Sequence, residues 1–407
     1  MINLTKLWTG AAQPADGLRY GHGVGANAVE ARGRKPIVVW NITRTCNLRC
    51  VHCYSDSNAM QYPGELNWDQ MQDVVEDLAA YQIPALLLSG GEPLIHPRFA
   101  NLVKMASAEG LKLTISTNGT LITPEKAVML KEANVAYVGI SLDGIGKIHD
   151  EFRRKEGAFD GAVRGFKNCR DVGQKTGLRL TLTRHNVENI DRILDFIEDH
   201  EIQRVCFYHL VPAGRGSELQ VLDAGAARGA IDTLISRVES WHKQGIDREL
   251  LTVTQPADGA YLLVRMENES HPNLDEARRL LSWNGGGANS SGRGIANIDT
   301  QGNVHPDQFW QDMQLGNVKQ TPFSQIWEGG HAPSAGMLES IRSIGLLSQQ
   351  ERQTRMSGPC ADCKWFSICG GGFRTRAAFC NDGDLWGSDP GCYLREEERL
   401  EAQGQLV

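Results

Sequence analysis

The chain has 407 residues, of which 41% are hydrophobic and 22% charged, as in a globular protein with more than one domain. Its formal net charge of −7 argues against a nucleic-acid partner, because phosphate binding depends on clustered Lys and Arg. The chain has no long apolar run and its first ten residues do not resemble a signal peptide, so we expect no membrane span and a cytoplasmic location.

Residues 1–36 are rich in glycine and are predicted to form an N-terminal arm. From residue 37 to residue 215, short apolar runs alternate with longer runs in which apolar residues recur at helical spacing. The short runs predict six strands, at residues 37–40, 85–88, 112–116, 136–141, 178–183 and 204–209. The longer runs predict a helix that begins with Asn67 as its N-cap, and helices at residues 98–109, 124–133, 159–175 and 187–200.

Regular alternation of strands and helices implies a parallel sheet with right-handed crossovers, which is an α/β fold. Six units, where a complete barrel has eight, predict a partial (β/α)6 TIM-type barrel that is open at its side. The polar and glycine-rich motifs come directly after the strands. In parallel β/α folds that edge of the sheet is where ligands bind.

Beyond residue 215 the alternation weakens. Residues 216–282 are predicted to form a helical connecting region with one long helix at residues 224–244. Residues 283–407 contain frequent Gly, Asn, Ser and Cys, which is typical of a small, loop-rich metal-binding domain.

Ten cysteines are many for a cytoplasmic protein, in which structural disulfides are rare and thiols more often bind metal or take part in reactions. Three of them lie at residues 46–53 and five at residues 360–392. Clustering of this kind predicts two metal centres.

The first group is formed by Cys46, Cys50 and Cys53, at the end of the first predicted strand. Three thiolates can hold three irons of a [4Fe–4S] cluster and leave the fourth iron open for another ligand. The alternative is a zinc site, which needs four ligands and would have to recruit a residue such as His52.

The C-x3-C-x2-C spacing of these thiols resembles the radical S-adenosylmethionine (SAM) superfamily. Further resemblances follow in chain order: a GGEP motif, a Thr-Asn pair after the third strand, a Ser-x-Asp motif after the fourth strand, and a basic residue beyond it. The resemblance implies that these residues contact SAM: Gly90, Gly91, Glu92, Pro93, Thr117, Asn118, Ser141, Asp143 and Arg153. In particular, Glu92 would pair with the SAM ammonium group and Arg153 with its carboxylate.

The resemblance also implies a mechanism. In this family the open iron of the cluster binds the amino and carboxylate groups of SAM, and an electron from a donor such as flavodoxin or ferredoxin cleaves the C5′–S bond. The resulting 5′-deoxyadenosyl radical abstracts a hydrogen atom from the substrate. The protein positions the reactants and excludes water and oxygen, and the cofactor supplies the difficult chemistry. No catalytic side chain is assigned from the sequence.

The second group of thiols has the four members that a closed zinc site or a complete [4Fe–4S] cluster requires: Cys360, Cys363, Cys369 and Cys392. Spacing alone does not separate these alternatives. The segment resembles a SPASM domain, which implies an auxiliary [4Fe–4S] cluster and two clusters in total. Asp307 stands where such domains usually have a cysteine, and Cys380 is predicted to be a free thiol rather than a ligand.

Both cysteine segments and their flanks resemble the branch of the superfamily that modifies porphyrinoids, and within it the enzymes of heme d1 biosynthesis. This resemblance implies removal of two propionate side chains from 12,18-didecarboxysiroheme. Arg374 and Arg376 are candidates to bind the carboxylates of such a substrate, although both could equally be surface residues. Trp310 and Trp365 are candidates to flank the macrocycle, and His209 and His305 to bind its iron, although a core role is typical of such residues.

Two kinds of alternative stay open at this point. One is another radical SAM enzyme with a SPASM domain, either a heme-pathway decarboxylase or a peptide maturase. The other is a zinc-stabilised binding module without catalysis. Three clustered cysteines beside a GGEP motif favour the enzyme.

Overall fold

A computed structural model describes residues 1–13, 16, 20, 35–219, 221–283, 291–329 and 349–400. Most of the predicted N-terminal arm, and parts of the predicted C-terminal domain at residues 284–290, 330–348 and 401–407, lie outside the described residues. None of the described helices is both long and apolar enough to cross a membrane.

Within the described residues, a single sheet has eleven strands in the order β1-β8-β7-β6-β5-β4-β3-β2-β9-β10-β11. The eight strands from β8 to β9 in this order are parallel, and the outer pairings of β1 with β8, β9 with β10 and β10 with β11 are antiparallel. The strands are β1 (Ile2–Asn3), β2 (Ile37–Asn41), β3 (Leu86–Ser89), β4 (Leu113–Thr117), β5 (Tyr137–Ser141), β6 (Thr176–Leu182), β7 (Arg204–His209), β8 (Glu249–Val253), β9 (Ile295–Ile298), β10 (Asn303–His305) and β11 (Gly316–Asn317).

Helices connect the parallel strands, as the alternation in the sequence predicts. The predicted N-cap Asn67 forms a capping box with Gln70 at the start of its helix. The described α-helices are α1 (Leu4–Thr9), α2 (Trp68–Ala80), α3 (Phe99–Ala108), α4 (Pro124–Glu132), α5 (Lys147–Arg153), α6 (Ala158–Asp171), α7 (Ile190–Asp199), α8 (Ala224–Lys243), α9 (Ala257–Asn268), α10 (Leu274–Trp283), α11 (Phe323–Glu328), α12 (Gln349–Arg355), α13 (Phe366–Cys369), α14 (Arg374–Cys380) and α15 (Glu396–Arg399).

The six predicted strands are β2 to β7, and they form the centre of the sheet in consecutive order. The sequence does not predict β8 or β9, which add one parallel strand at each side. Strand β8 lies in the predicted connecting region and β9 in the predicted metal-binding domain, so the sheet continues across both predicted boundaries. Both strands are short, and they are stabilised by pairing with β7 and β2, which are distant in the chain. The local sequence pattern does not reveal such pairing.

The two faces of the parallel strands differ in composition, because alternate residues point to opposite faces. One set is apolar and belongs to the hydrophobic core shared with the helices; it includes Val38, Trp40, Leu86, Leu88, Ile115, Ile140, Leu180, Phe207 and Leu250. The other set is largely polar or small; it includes Asn41, Ser89, Ser116, Gly139, Ser141, Arg179, Thr181, Cys206 and Tyr208. Parallel sheets that are covered on both faces are apolar on both. The second set therefore forms a polar face, which lies opposite the helices.

The N-terminal residues are part of the sheet and not only a lead-in arm. Strand β1 pairs antiparallel with β8. The Asn3 side chain accepts a hydrogen bond from the Lys6 amide at 3.0 Å, which caps α1, and donates to Glu249 Oε1 at 3.1 Å. The buried Asn3 side chain thus joins the N-terminal segment to β8.

We predict that Asn3→Ala lowers the free energy of unfolding by about 1–3 kcal/mol, because it removes a helix cap and a buried hydrogen bond. Asn3→Ser is the matched control: its hydroxyl group still caps α1, so it should lose less stability. Urea unfolding of the anaerobically purified protein measures both variants. Equal midpoints for Asn3→Ala and the unsubstituted protein would contradict the prediction.

Candidate active site

The loop after β2 carries the first three cysteines, and the sulfur atoms of all three accept hydrogen bonds. Cys46 Sγ accepts from the Leu48 amide at 3.4 Å. Cys53 Sγ accepts from the Ser57 amide, also at 3.4 Å. Cys50 Sγ accepts from Arg153 Nη1 at 3.2 Å. Donors arranged around sulfur in this way suit thiolates, which are the form of cysteine that binds iron.

Burial works against these thiolates in the absence of metal. Burial, with a smaller contribution from the charge of Glu92, raises the pKa of Cys46 to about 12. Burial also raises the pKa of Cys50, although the guanidinium group of Arg153 opposes the shift. The charges of Cys50 and Cys53 help to raise the pKa of Cys46, and that of Cys53 helps to raise the pKa of Cys50, so the three thiols lie close together. A bound cationic cluster would supply the positive charge that keeps them deprotonated, so the donor set fits a [4Fe–4S] cluster.

The loop after β3, which contains the GGEP motif, contacts the cysteine loop backbone to backbone. The Gly91 amide donates to the Thr43 carbonyl at 2.7 Å, and the Glu92 amide donates to the Thr45 carbonyl at 3.0 Å. A Cβ atom on Gly91 would lie 2.5 Å from the Arg44 carbonyl oxygen, and Gly90 has a φ of 140°, which disfavours any other residue. The glycines are therefore needed for contact between the two loops.

Glu92 is fully buried, and its carboxylate is surrounded by protein donors. Oε1 accepts from the Thr117 hydroxyl at 2.8 Å and from the Leu94 amide at 3.1 Å, and Oε2 accepts from the Asn118 amide at 2.8 Å. Burial raises the pKa of Glu92, and these hydrogen bonds oppose the shift. The structure thus gives Glu92 the role of joining the loops after β3 and β4, and its predicted pairing with the SAM ammonium group stays a prediction.

Asp143 and Arg153 form a buried ion pair beside the cysteine loop. Asp143 Oδ1 also accepts from the Thr181 amide at 2.8 Å, which ties the pair to β6. Burial alone would raise the pKa of Asp143, but the charge of Arg153, together with smaller effects such as the hydrogen bond from the Thr181 amide, outweighs burial, so the pKa is lowered and the carboxylate stays ionised. Arg153 therefore joins Asp143 to Cys50, and its predicted contact with the SAM carboxylate stays a prediction.

Arg215 is a residue of this site that the sequence does not reveal. Its Nε donates to the Cys50 carbonyl at 2.9 Å and its Nη2 to the Ser57 carbonyl at 2.8 Å, while Nη1 pairs with Asp56. Three contacts from one guanidinium group hold the cysteine loop from the side of β7. No motif marks Arg215, because its partners are about 160 residues away in the chain.

The structure brings the second group of cysteines together in the C-terminal region. After burial, the charges of the other three thiols are among the effects that raise the pKa of Cys369, and burial raises the pKa of Cys392 to about 11. Cys380 is exposed, and the charged groups that affect its pKa are Arg376 and Asp389, not the thiols. Among the described residues, no three His, Cys, Asp or Glu side chains are arranged to hold a single metal ion. The ligand roles of the four thiols stay predictions.

Arg374 and Arg376 are buried and already have partners in the protein. Arg376 Nε and Nη2 each lie 2.7 Å from an oxygen of Asp389, a bidentate pair. Arg374 donates to three backbone carbonyls, those of Gly371, Leu385 and Gly387. The structure thus excludes the alternative that they are surface residues, and it places both beside the second thiol group. Their predicted contact with substrate carboxylates stays a prediction.

The other residues selected from the sequence also have protein partners. His209 Nε2 lies 3.1 Å from Asp258 Oδ2, and His305 Nδ1 lies 2.8 Å from the Met313 carbonyl. Trp310 is buried, and Trp365 donates to the Glu398 carbonyl at 2.7 Å. Asp307, which replaces the usual cysteine, accepts hydrogen bonds from Ser291, Thr375, Phe309 and Trp310. It therefore holds the C-terminal region together through hydrogen bonds.

We predict that Gly91→Ala lowers the rate of 5′-deoxyadenosine formation from SAM by about 100-fold, because the added methyl group pushes the two loops apart. The matched control is Gly229→Ala on α8, where nothing lies within 4 Å of an added Cβ. Quantifying 5′-deoxyadenosine after anaerobic incubation with SAM and reductant measures both. Full activity of Gly91→Ala would show that the loop contact is dispensable.

We also predict that Cys392→Ala lowers the iron and sulfide content by about four atoms of each per chain, because a second cluster loses a ligand. Cys380→Ala should retain both in full, since this thiol is exposed, unlike the other four, and none of them affects its pKa. Iron and sulfide analysis after anaerobic reconstitution tests the pair of variants. An equal loss in Cys380→Ala would refute the proposed ligand set.

Comparison with known proteins identifies the family. The Radical SAM superfamily matches residues 40–197, and the SPASM iron–sulfur cluster-binding domain matches residues 290–364. The chain is 41% identical to the Fe-coproporphyrin III synthase of Methanosarcina barkeri over 404 residues, 98% of each chain. It is also 41% identical to the pre-heme d1 synthase of Dinoroseobacter shibae over 378 residues, 90% of this chain and 89% of that one.

The fold agrees with these matches. SuiB of Streptococcus suis, in a crystal structure with bound S-adenosylmethionine, superposes with a TM-score of 0.67 over 89% of this chain and 78% of that chain. At 16% identity this likeness concerns the fold alone. The relatives at 41% identity extend over nearly the whole chain and confirm the resemblance drawn from the motifs. The chain belongs to the radical SAM superfamily of enzymes and carries a SPASM iron–sulfur cluster-binding domain.

Proposed function

We propose that the enzyme removes two propionate side chains from 12,18-didecarboxysiroheme to give the precursor of heme d1. The observation that carries this proposal is the 41% identity to a pre-heme d1 synthase over 90% of the chain. The cysteine segments and their flanks, which resemble the heme d1 enzymes, support it further. The relatives at 41% identity are both named for tetrapyrrole products, which disfavours a peptide maturase and a binding module without catalysis.

We infer that the two thiol groups divide the cofactors between them. Radical SAM enzymes use a [4Fe–4S] cluster and SAM, and a SPASM domain binds further iron–sulfur cofactor. Cys46, Cys50 and Cys53 would hold the SAM-binding cluster. The remaining ligands, for an auxiliary [4Fe–4S] cluster, would be Cys360, Cys363, Cys369 and Cys392. When bound, the first cluster and SAM supply the 5′-deoxyadenosyl radical.

The protein's own contribution is to fix the positions of these groups. The backbone contact between the GGEP loop and the cysteine loop sets the distance between proposed SAM contacts and cluster ligands. Glu92 joins this arrangement to the loop after β4, and the Asp143–Arg153 pair joins it to β6. Every one of these loops follows a parallel strand, so the sheet places them at one edge. A one-electron donor such as flavodoxin or ferredoxin completes the proposed reaction.

A second candidate is formation of iron coproporphyrin III. It is favoured by the relative of that name, which matches 98% of both chains at the same 41% identity. The two reactions differ in the side chains that leave. Didecarboxysiroheme carries two acetates and four propionates; iron coproporphyrin III retains four propionates, whereas the heme d1 route removes two.

The deciding experiment incubates the reconstituted enzyme anaerobically with SAM, a reductant and didecarboxysiroheme. We expect 5′-deoxyadenosine together with a macrocycle that has lost two propionates, identified by mass spectrometry. A product that retains four propionates would establish the second candidate instead. Formation of 5′-deoxyadenosine with an unchanged macrocycle would contradict both.

Two variants control this assay. Cys50→Ala should abolish 5′-deoxyadenosine formation, because it removes a proposed ligand of the SAM-binding cluster. Cys169→Ala replaces a buried thiol on α6, outside both groups of proposed cluster ligands, and should keep most of the activity. Undiminished SAM cleavage by Cys50→Ala would refute the assigned ligand set.

A further inference from the structure

The polar face of the sheet carries a cation at its centre. Arg179 lies in the middle of β6, where its Cα pairs with that of Ser141 on β5 and that of Cys206 on β7. Its Nη2 donates to the hydroxyl group of Tyr208, and its guanidinium lies 5.0 Å from the centre of the Tyr208 ring. Arg179 is half-buried, so the guanidinium is withdrawn from bulk solvent and still accessible from the polar face.

Among the described residues, Arg179 has no acidic partner, and it also lacks the backbone carbonyl acceptors that hold the guanidinium of Arg374. Arg204 on the same face lies 3.0 Å from Glu249, Arg153 pairs with Asp143, and Arg376 pairs with Asp389. In the part of the chain that the structure describes, Arg179 forms no ion pair, and its hydrogen-bond acceptor is the Tyr208 hydroxyl. Burial raises the pKa of Tyr208, so this phenol is neutral and does not balance the charge.

The neighbouring strand is built to accommodate this side chain. On β5, Gly139 lies two residues before Ser141 on the same face, and a Cβ atom on this glycine would lie 2.6 Å from Arg179 Cδ. The stem of the arginine therefore crosses β5 over a position that lacks a side chain. Withdrawing a guanidinium from water without a counter-charge is costly, so a site built in this way indicates a negatively charged ligand.

The cation also lies on the face that leads to the candidate active site. Arg179 precedes Thr181 by two residues, so both point to the polar face, about 7 Å apart along the strand. The Thr181 amide donates to Asp143, the partner of Arg153. On the other side, the hydroxyl group of Tyr54, next to Cys53, donates to Asn41 Oδ1 on the polar face at 3.1 Å, so the cysteine loop reaches this face. A ligand bound to Arg179 would therefore lie on the polar face of the sheet, below the cysteine loop.

We propose that Arg179 binds a carboxylate side chain of the tetrapyrrole substrate on the polar face of the sheet. This proposal rests on the proposed function, which supplies a substrate with several carboxylates. A carboxylate neutralises the guanidinium and accepts hydrogen bonds from N–H groups that Tyr208 leaves free. Arg374 and Arg376, the candidates from the sequence, are less suited because carboxylate and carbonyl oxygens of the protein already hold them. The carboxylate of SAM has the same chemistry, so the experiment must separate the two sources.

The test compares binding of iron coproporphyrin III and its tetramethyl ester by anaerobic optical titration of the reconstituted enzyme. We expect Arg179→Gln to weaken binding of the free acid by about 30-fold or more, the usual effect of removing one partner of a buried charge pair. The ester should bind the unsubstituted enzyme and the variant equally. Arg179→Lys keeps the charge but not the bidentate geometry, so its affinity for the free acid should lie between those of the unsubstituted enzyme and Arg179→Gln. Arg192→Gln, an exposed arginine on α7, is the matched control and should change nothing.

Substrate-independent cleavage of SAM, measured in the same samples, separates the two carboxylates. We expect Arg179→Gln to form 5′-deoxyadenosine at the normal rate with its normal iron content. Loss of SAM affinity with normal iron content would assign the arginine to SAM and overturn the proposal. If Arg179→Gln does not retain iron, the comparison is made with Arg179→Lys, for which free-acid affinity equal to that of the unsubstituted enzyme would overturn it.

Two further outcomes distinguish this proposal from the proposed function. Tight binding of the free acid by both the unsubstituted enzyme and Arg179→Gln would refute the role of Arg179 and leave the proposed function intact. Failure of the unsubstituted enzyme to bind or convert any tetrapyrrole would refute the proposed function and this proposal together.

Discussion

Two loops of this protein meet backbone to backbone, and the geometry of the candidate active site depends on that contact. The amides of Gly91 and Glu92 donate to the carbonyls of Thr43 and Thr45, and the space between the loops has no room for a Cβ atom. Because β2 and β3 are parallel neighbours, both loops start from the same edge of the sheet. The contact then fixes how far the proposed cluster ligands lie from the proposed SAM contacts. Glu92 extends the arrangement to a third loop, after β4.

Buried charge is the second organising feature. Two buried ion pairs lie beside the thiol groups: Asp143 neutralises Arg153 beside the first group, and Asp389 neutralises Arg376 beside the second. In each pair burial raises the pKa of the carboxyl group, and the guanidinium together with hydrogen bonds from backbone amides lowers it below its usual value. Removing one partner of such a pair leaves an unpaired buried charge, which is strongly destabilising. Arg179 departs from this pattern, since the described residues supply neither a counter-charge nor the backbone carbonyl acceptors that hold Arg374, and that is why we assign it to a ligand.

The sequence predicted the centre of the fold well. Strands β2 to β7 and the helices between them appear in the predicted order, since each buries an apolar set whose spacing is visible locally. It did not predict β8, β9 or the role of β1. These strands are short, and their positions follow from pairing with strands that are distant in the chain. For the same reason, the proposed domain boundaries at residues 216 and 283 lie between strands that belong to one continuous sheet.

By itself, the sequence determined the family and the identity of the candidate cofactor residues, because cysteine spacing and the motifs after strand ends are local features. Tertiary structure decided how those residues are used. Only the fold shows that Arg376 is paired with Asp389 and that Arg215 donates hydrogen bonds to the cysteine loop. Only the fold shows, too, that Arg179 has no acidic partner among the described residues. The physical reason is that an ion pair or a hydrogen bond joins groups that are close in space, and the strand pattern does not specify which distant side chains share a face.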